Sequence, residues 1–140
     1  MLSHVTVGTN DVARAKRFYD AALAPLGMDR RHDGEWGLGY ARVDTRHGPE
    51  GASASQFWVL QPFDGGRATP GNGWHVAFLA PDRAAVDAFH AAALAAGATC
   101  EGPPGPRPQS HPTYYAAYVR DPDGNKLQAV HHGRGPTTPG

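Results

Sequence analysis

Two histidines recur at an equal place in two halves of the chain. His4 and His75 are separated by 71 residues, and each is followed by Val (Val5 and Val76). Neutral imidazole is a common ligand for divalent transition metals. If each His opens an equivalent strand, the pair could approach one ion from two sides; otherwise each merely begins a strand. A second group lies near the C-terminal end: His111, Tyr114, Tyr115 and Tyr118. A His can accept a proton and a Tyr can donate one or orient a substrate oxygen. His111 and Tyr115 are the catalytic candidates of this group, and Tyr114 is a candidate substrate contact. Strand alternation leaves two readings open. Either Tyr114 and Tyr118 share a core face with Tyr115 and His111 outside, or one tyrosine lines a cavity. His131 and His132 are adjacent, so a strand would turn them to opposite faces.

The elements that must position these residues follow from a repeat. At the same offset of 71 residues, Asp11 meets Asp82, Ala13 meets Ala84, Phe18 meets Phe89, and Ala21–Ala24 meets Ala92–Ala95. Both halves open with an apolar strand, at His4–Gly8 and Trp74–Ala80. Asp11 and Asp82 sit where a helix N-cap belongs, since a short carboxylate accepts bonds from free backbone N–H groups. Val12, Ala15, Phe18, Tyr19, Ala22, Leu23 and Leu26 then recur at helical spacing, as do Val86, Phe89, Ala93 and Leu94. Gly27 and Gly97 stand where the helices should stop. Further strands are expected at Met28–Arg31, Trp36–Val43 and Ser55–Gln61, and at Ala98–Glu101, Tyr114–Arg120 and Lys126–His131. The last two flank Asp121-Pro-Asp-Gly-Asn, a tight-turn sequence. Pro62–Gly73 and Gly102–Pro112 read as loops.

The order strand–helix–strand–strand–strand, twice over, predicts an α+β fold of paired βαβββ modules. The expected division is a first module at 1–61, a linker at 62–73, a second module at 74–132 and a disordered tail at 133–140.

Bulk composition narrows the function classes. The chain has 140 residues with 13 Lys plus Arg and 13 Asp plus Glu, a formal net charge of zero. No basic stripe suggests nucleic acid. No stretch approaches the length of a membrane span. The opening MLSHVTVGTND lacks the charged start and apolar run of a signal peptide. The single cysteine, Cys100, excludes an internal disulfide and a CxxC zinc site. A cytoplasmic protein acting on a small molecule is the expectation.

The segments His4-Val-Thr-Val with Asp11 and Arg17-Phe-Tyr, His75-Val-Ala-Phe, and Asp121-Pro-Asp-Gly-Asn-Lys-Leu-Gln resemble the glyoxalase / bleomycin-resistance / dioxygenase family, the vicinal-oxygen-chelate superfamily. The resemblance runs from His4 to His131. It implies eight strands curled around a cavity, with metal ligands on the first and last strand of each module in metal-dependent members. Carried over, it makes His4 and His75 first-strand ligands and puts Gln128 where the family usually has Glu. The remaining slot falls near Gln56 or Trp58, with Trp58 read as cavity wall. It also implies a homodimer.

Two function classes follow from the resemblance. One is a metal-dependent lyase or isomerase, lactoylglutathione-lyase-like, using Zn, Ni or Fe on a substrate with adjacent oxygens; an extradiol dioxygenase-like enzyme is a variant. Both lack their usual carboxylate here, which would lower the charge cost of the cation and serve as base. The other is a metal-free drug- or metabolite-binding protein with an aromatic cavity of Trp36, Trp58, Tyr40 and Tyr115. Gln128 serves either class, as an amide-oxygen ligand or as a polar cavity residue.

Overall fold

The computed structural model describes residues 1–46 and 54–133. The elements are β1 (Val5–Gly8), α1 (Val12–Leu23), β2 (Met28–Gly34), β3 (Gly37–Arg42), β4 (Phe57–Leu60), β5 (Val76–Leu79), α2 (Arg83–Ala95), β6 (Thr99–Pro106), β7 (Tyr115–Arg120) and β8 (Lys126–His131). Strands β1–β4 form one sheet in the order β1-β4-β3-β2, and β5–β8 form another in the order β5-β8-β7-β6. In each, the first strand runs parallel to the last and the others are antiparallel. This is the α+β arrangement of two βαβββ units that the repeat predicts. The expected tail lies almost entirely outside the described residues.

Local chemistry sets the helices. Asp11 Oδ1 accepts from Arg14 N at 3.0 Å, and Asp82 Oδ1 from Ala85 N at 2.8 Å. Each bond satisfies an N–H that the first helical turn leaves without a partner. α1 buries Ala15, Phe18, Tyr19, Ala22 and Leu23, and α2 buries Ala85, Val86, Phe89 and Ala93. After α1, a single 3-10 turn (Ala24–Leu26) ends at Gly27, whose φ of 76° is left-handed and suits glycine.

One core serves both modules. Phe57 of β4 meets Phe78 of β5 edge to face, with ring centroids 5.0 Å apart, and Tyr19 packs on Phe57 at 5.3 Å. The Asp121–Asn125 turn fastens the second module to the first. Asp123 accepts from Thr9 Oγ1 at 2.6 Å, Asn10 N at 3.0 Å and Arg14 Nη2 at 2.7 Å. Asn125 Nδ2 donates to Gly8 O at 2.9 Å. The Tyr19 hydroxyl donates to the buried carboxylate of Asp121.

Two strands run further than expected. β2 continues to Gly34. β6 continues through Pro103, Pro104 and Pro106, a stretch that reads as loop by composition. The reason is position. β6 is an edge strand, where proline costs no ladder bond. Pro103 and Pro104 also fall in a register shift between Gly102 and Gly105.

Candidate functional site

The helices cover one face of each sheet, so alternate residues point to the other, concave face. On the second sheet, Ala77, Gln128, Tyr118 and Gly102 are opposite one another across the four strands. On the first sheet, the matching row is Thr6, Trp58, Gly39 and His32. Trp58 is therefore the register counterpart of Gln128. Gln56 lies two residues earlier, and its Oε1 accepts weakly from Arg42 N at 3.5 Å.

Gln128 is the polar centre of the second row. It is 1% exposed. Its Nε2 donates to the Tyr114 hydroxyl at 2.7 Å, and its Oε1 is 2.9 Å from His75 Nε2. With the amide so oriented, the neutral His75 ring carries its hydrogen on Nε2 and donates it. Its Nδ1 lone pair then lies away from Gln128. Tyr118 closes the group, its ring edge-on to His75 with centroids 5.7 Å apart. Burial pushes the Tyr118 phenol up, and neighbouring Tyr114 adds to this, so it stays a neutral donor at ordinary pH.

His111 and His132 extend the group past Tyr114. His111 Nδ1 accepts from Thr113 N at 3.2 Å, which places its hydrogen on Nε2, 3.1 Å from His132 Nδ1. Both rings are edge-on to Tyr114, with centroids at 5.0 Å (His111) and 5.3 Å (His132). The sequence gives His132 no role; only the fold around Thr113, whose hydroxyl donates to His132 O at 2.6 Å, brings it here.

The other candidates lie elsewhere. His4 is on the first sheet's side, its Nδ1 2.9 Å from Ser3 Oγ. Trp58 packs on His32, with centroids 5.3 Å apart, and lies across Gly39, where a Cβ would come within 2.9 Å of its ring. Trp36 sits in the β2–β3 turn, 65% exposed, and lines a groove of about 700 Å³ with Thr6, Leu60 and Phe63. Gln56 and His132 line a second groove of about 780 Å³ between the modules.

Tyr40 and Tyr115 point to the helix side of their sheets. Tyr40 faces α1 from the core, and its hydroxyl donates to Asp20 at 2.8 Å; burial pushes this phenol far up. Tyr115 lies on the helix face of β7, donating to Asp87 at 2.7 Å with the Arg83 guanidinium 4.8 Å above its ring. Strand parity is the reason: Tyr115 shares its face with the buried Ala117 and Val119, and Tyr114 has the opposite one.

Among the described residues, no group of three or more His, Cys, Asp or Glu side chains is placed to hold a metal ion. The nearest set, His75 with Gln128, has its amide oxygen already engaged. It does not fit a divalent ion as it stands, because the cation would gain no negative charge and would have to displace a hydrogen bond. The arrangement can instead offer donors, from Tyr114 and Tyr118, to oxygen atoms of a bound molecule.

Comparison with known proteins agrees with this architecture. Residues 1–129 match the family model of the Glyoxalase/Bleomycin resistance protein/Dioxygenase superfamily. Among curated proteins no match is found. A glyoxalase/bleomycin resistance protein from Albidiferax ferrireducens T118 is 42% identical, covering 94% of this chain and 98% of its own, with a TM-score of 0.77. A glyoxalase-related enzyme from Fulvimarina pelagi (20% identity, 94% and 87% coverage, TM-score 0.67) shares the fold. So does a lactoylglutathione lyase from Agrobacterium tumefaciens (18% identity, 94% and 92% coverage, TM-score 0.61). On the family match and the Albidiferax relative, the chain belongs to the glyoxalase/bleomycin resistance protein/dioxygenase superfamily.

Proposed function

We propose that this chain is a small-molecule-binding member of the superfamily, working through a polar centre of His75, Gln128 and Tyr114 rather than through a resident metal. The single observation that carries this reading is the state of Gln128: it is buried and bonded at both ends of its amide. A buried amide with both ends satisfied is a stable hydrogen-bonding platform. Using its oxygen as a metal ligand would cost the His75 bond. A ligand oxygen would accept from the Tyr114 or Tyr118 hydroxyl, while Gln128 and His75 hold Tyr114 in place. The Trp58 platform on the equivalent strand supplies an apolar surface of the kind that lines small-molecule pockets.

The metal-dependent lyase or isomerase is the second reading. It is favoured by His75 keeping Nδ1 away from Gln128, and by His4 at the equivalent place on the other sheet. Such a site would need His4 to reach His75. β1 and β5 are both edge strands, each paired on one side only. A twofold homodimer placing β1 of one copy beside β5 of the other would bring the two histidines toward each other. We include that homodimer, and a cytoplasmic location, in the proposal; no described helix is long and apolar enough to cross a membrane.

Metal analysis of protein purified without a His tag, followed by calorimetric titration with zinc, nickel and iron(II), tests the choice. The expected result is less than a tenth of an equivalent bound on isolation and no saturable site that His75→Ala removes. One equivalent of metal, lost in His75→Ala, would overturn the metal-free reading in favour of the lyase.

A further inference from the structure

The second sheet's concave face is electropositive in a chain that is neutral overall. From Thr99 to Arg120 and from Lys126 to Gly133 the sequence has one acid, Glu101, against Arg107, Arg120 and Lys126. Glu101 is taken by Arg120. Arg107 and Lys126 have no carboxylate bound to them among the described residues. Both lean on one ring: Lys126 Nζ is 5.3 Å, and Arg107 Cζ 5.8 Å, from the centroid of Tyr118.

This placement is built rather than incidental. Arg107 Nη2 donates to Pro103 O at 2.7 Å and Nη1 to Pro106 O at 3.2 Å, which fixes the guanidinium without neutralising it. A Cβ on Gly102 would meet Arg107 Nη2 at 3.3 Å, and one on Gly105 would meet Nη1 at 3.2 Å, so glycine at both places makes room for it. The register shifts at Gly102 and Gly105 bend β6 there, as bulges beside binding sites do. Lys126 and Gln128 share a face by strand alternation, and Tyr118 stands directly opposite Gln128. Two cations therefore flank two phenol donors beside the polar centre.

We infer that this face selects a ligand with an anionic oxygen group, a carboxylate or a phosphate-type group, held between Lys126 and the hydroxyls of Tyr118 and Tyr114 with Arg107 beside it. This rests on the small-molecule reading above and adds the charge of the molecule. Hydrogen bonds to an ionised acceptor are roughly twice as strong as neutral ones, and Arg107 and Lys126, neither in a direct ion pair although Glu101 lies within electrostatic reach of Lys126, draw an anion in. Trp58 and Gly39, at the equivalent places on the first sheet, offer no such charge, so the two concave faces are not interchangeable.

The test is an NMR titration of the full ¹⁵N-labelled chain at constant ionic strength with three probes: benzoate, inorganic phosphate and the neutral isostere benzamide. Benzoate or phosphate should shift the signals of Tyr118, Lys126 and Gln128, and benzamide should bind at least about tenfold more weakly. Benzoate against phosphate separates a carboxylate ligand from a phosphate-type one. Lys126→Met should weaken anion binding about tenfold, and Arg107→Gln should weaken it less. Benzamide binding as well as benzoate, or anion binding unchanged in Lys126→Met and Arg107→Gln, overturns the charge inference and leaves the small-molecule reading in place. Signals of His75, Gln128 and Tyr114 that no probe moves would overturn both. An unchanged amide spectrum away from the substitution shows that each variant is folded.

Discussion

His75 Nε2 and Gln128 Oε1 are 2.9 Å apart across the parallel pair β5–β8, although the register sets Gln128 opposite Ala77 rather than His75. The imidazole reaches diagonally along the concave face to meet the amide. Gln128 Oε1 is therefore committed before any ligand arrives. Replacing the amide by a carboxylate changes this balance. Gln128→Glu sets a negative charge beside His75 and restores a hard oxygen donor. Zinc should bind Gln128→Glu more tightly than the native chain. Zinc binding should weaken as pH drops, because protons compete with the ion for its ligands. Calorimetric titration of both forms at two pH values checks this; equal, pH-independent heats would remove Gln128 from any metal site.

The link between Asp123 and the first module should dominate stability at the module junction. The Asp123 side chain is nearly buried and accepts from Thr9, Asn10 and Arg14. Asp123→Ala removes the acceptor that three donors share, although Thr9 keeps Asp11 O and Arg14 stays partly exposed, and should cost about 1–3 kcal/mol. Urea denaturation at neutral pH reads the loss directly. A change under about 0.5 kcal/mol, the range of ordinary surface substitutions, would show the clamp to be unimportant.

Asp121 should give the folded state a pH signature. Burial pushes its carboxyl up from the ordinary carboxylate range; the bonds from Tyr19 and Asn125 pull it back only in part. A raised native pKa means that the native state holds the proton where the unfolded chain has already lost it. The contribution of Asp121 is thus fully present below the unfolded value, near 3.9, and is lost as pH rises through the native value. Asp121→Asn removes the titration. The stability difference, native minus variant, should fall as pH rises from about 3 into the range above 4. Denaturation series on both proteins check it, and a difference that rises over this window would contradict the assignment.

Gly39 should be needed for the Trp58 platform. A Cβ there would lie 2.2 Å from Ser55 Oγ and 2.9 Å from the Trp58 ring. Gly39→Ala should displace Trp58 and cost about 1–3 kcal/mol, the usual cost of overpacking. Tryptophan fluorescence of the variant should shift, since Trp58 would leave its contact with His32. Trp58→Phe in the same background should abolish that shift.

The repeat is why so much of the fold was legible. Asp11 and Asp82, Phe18 and Phe89, and the paired strand openings are local signals, set by capping and by which face of a helix or strand is apolar. Such signals survive without knowledge of the partners. β6 was not legible beyond Glu101, because Pro103, Pro104 and Pro106 read as breakers until the strand is known to be an edge. Tyr40 and Tyr115, cavity candidates by residue type, lie on the helix side of their sheets for a related reason. A tyrosine that packs its ring on the helix side and donates its hydroxyl to a carboxylate at the helix surface looks, in sequence, like one that lines a cavity, and Asp20 and Asp87 are distant in sequence.

The sequence by itself determined the two βαβββ units, the Asp caps, the Asp121–Asn125 turn and, through the repeat, the candidacy of His75, because periodicity and turn chemistry act over a few residues; Gln128 became a candidate only through the family resemblance. Only the tertiary structure decided which atoms meet. It aimed both ends of the Gln128 amide at His75 and Tyr114, brought His132 to His111, and gathered Arg107 and Lys126 over Tyr118. These contacts join residues from 8 to 53 positions apart in the chain, and side-chain direction across a sheet depends on register, which no local pattern fixes.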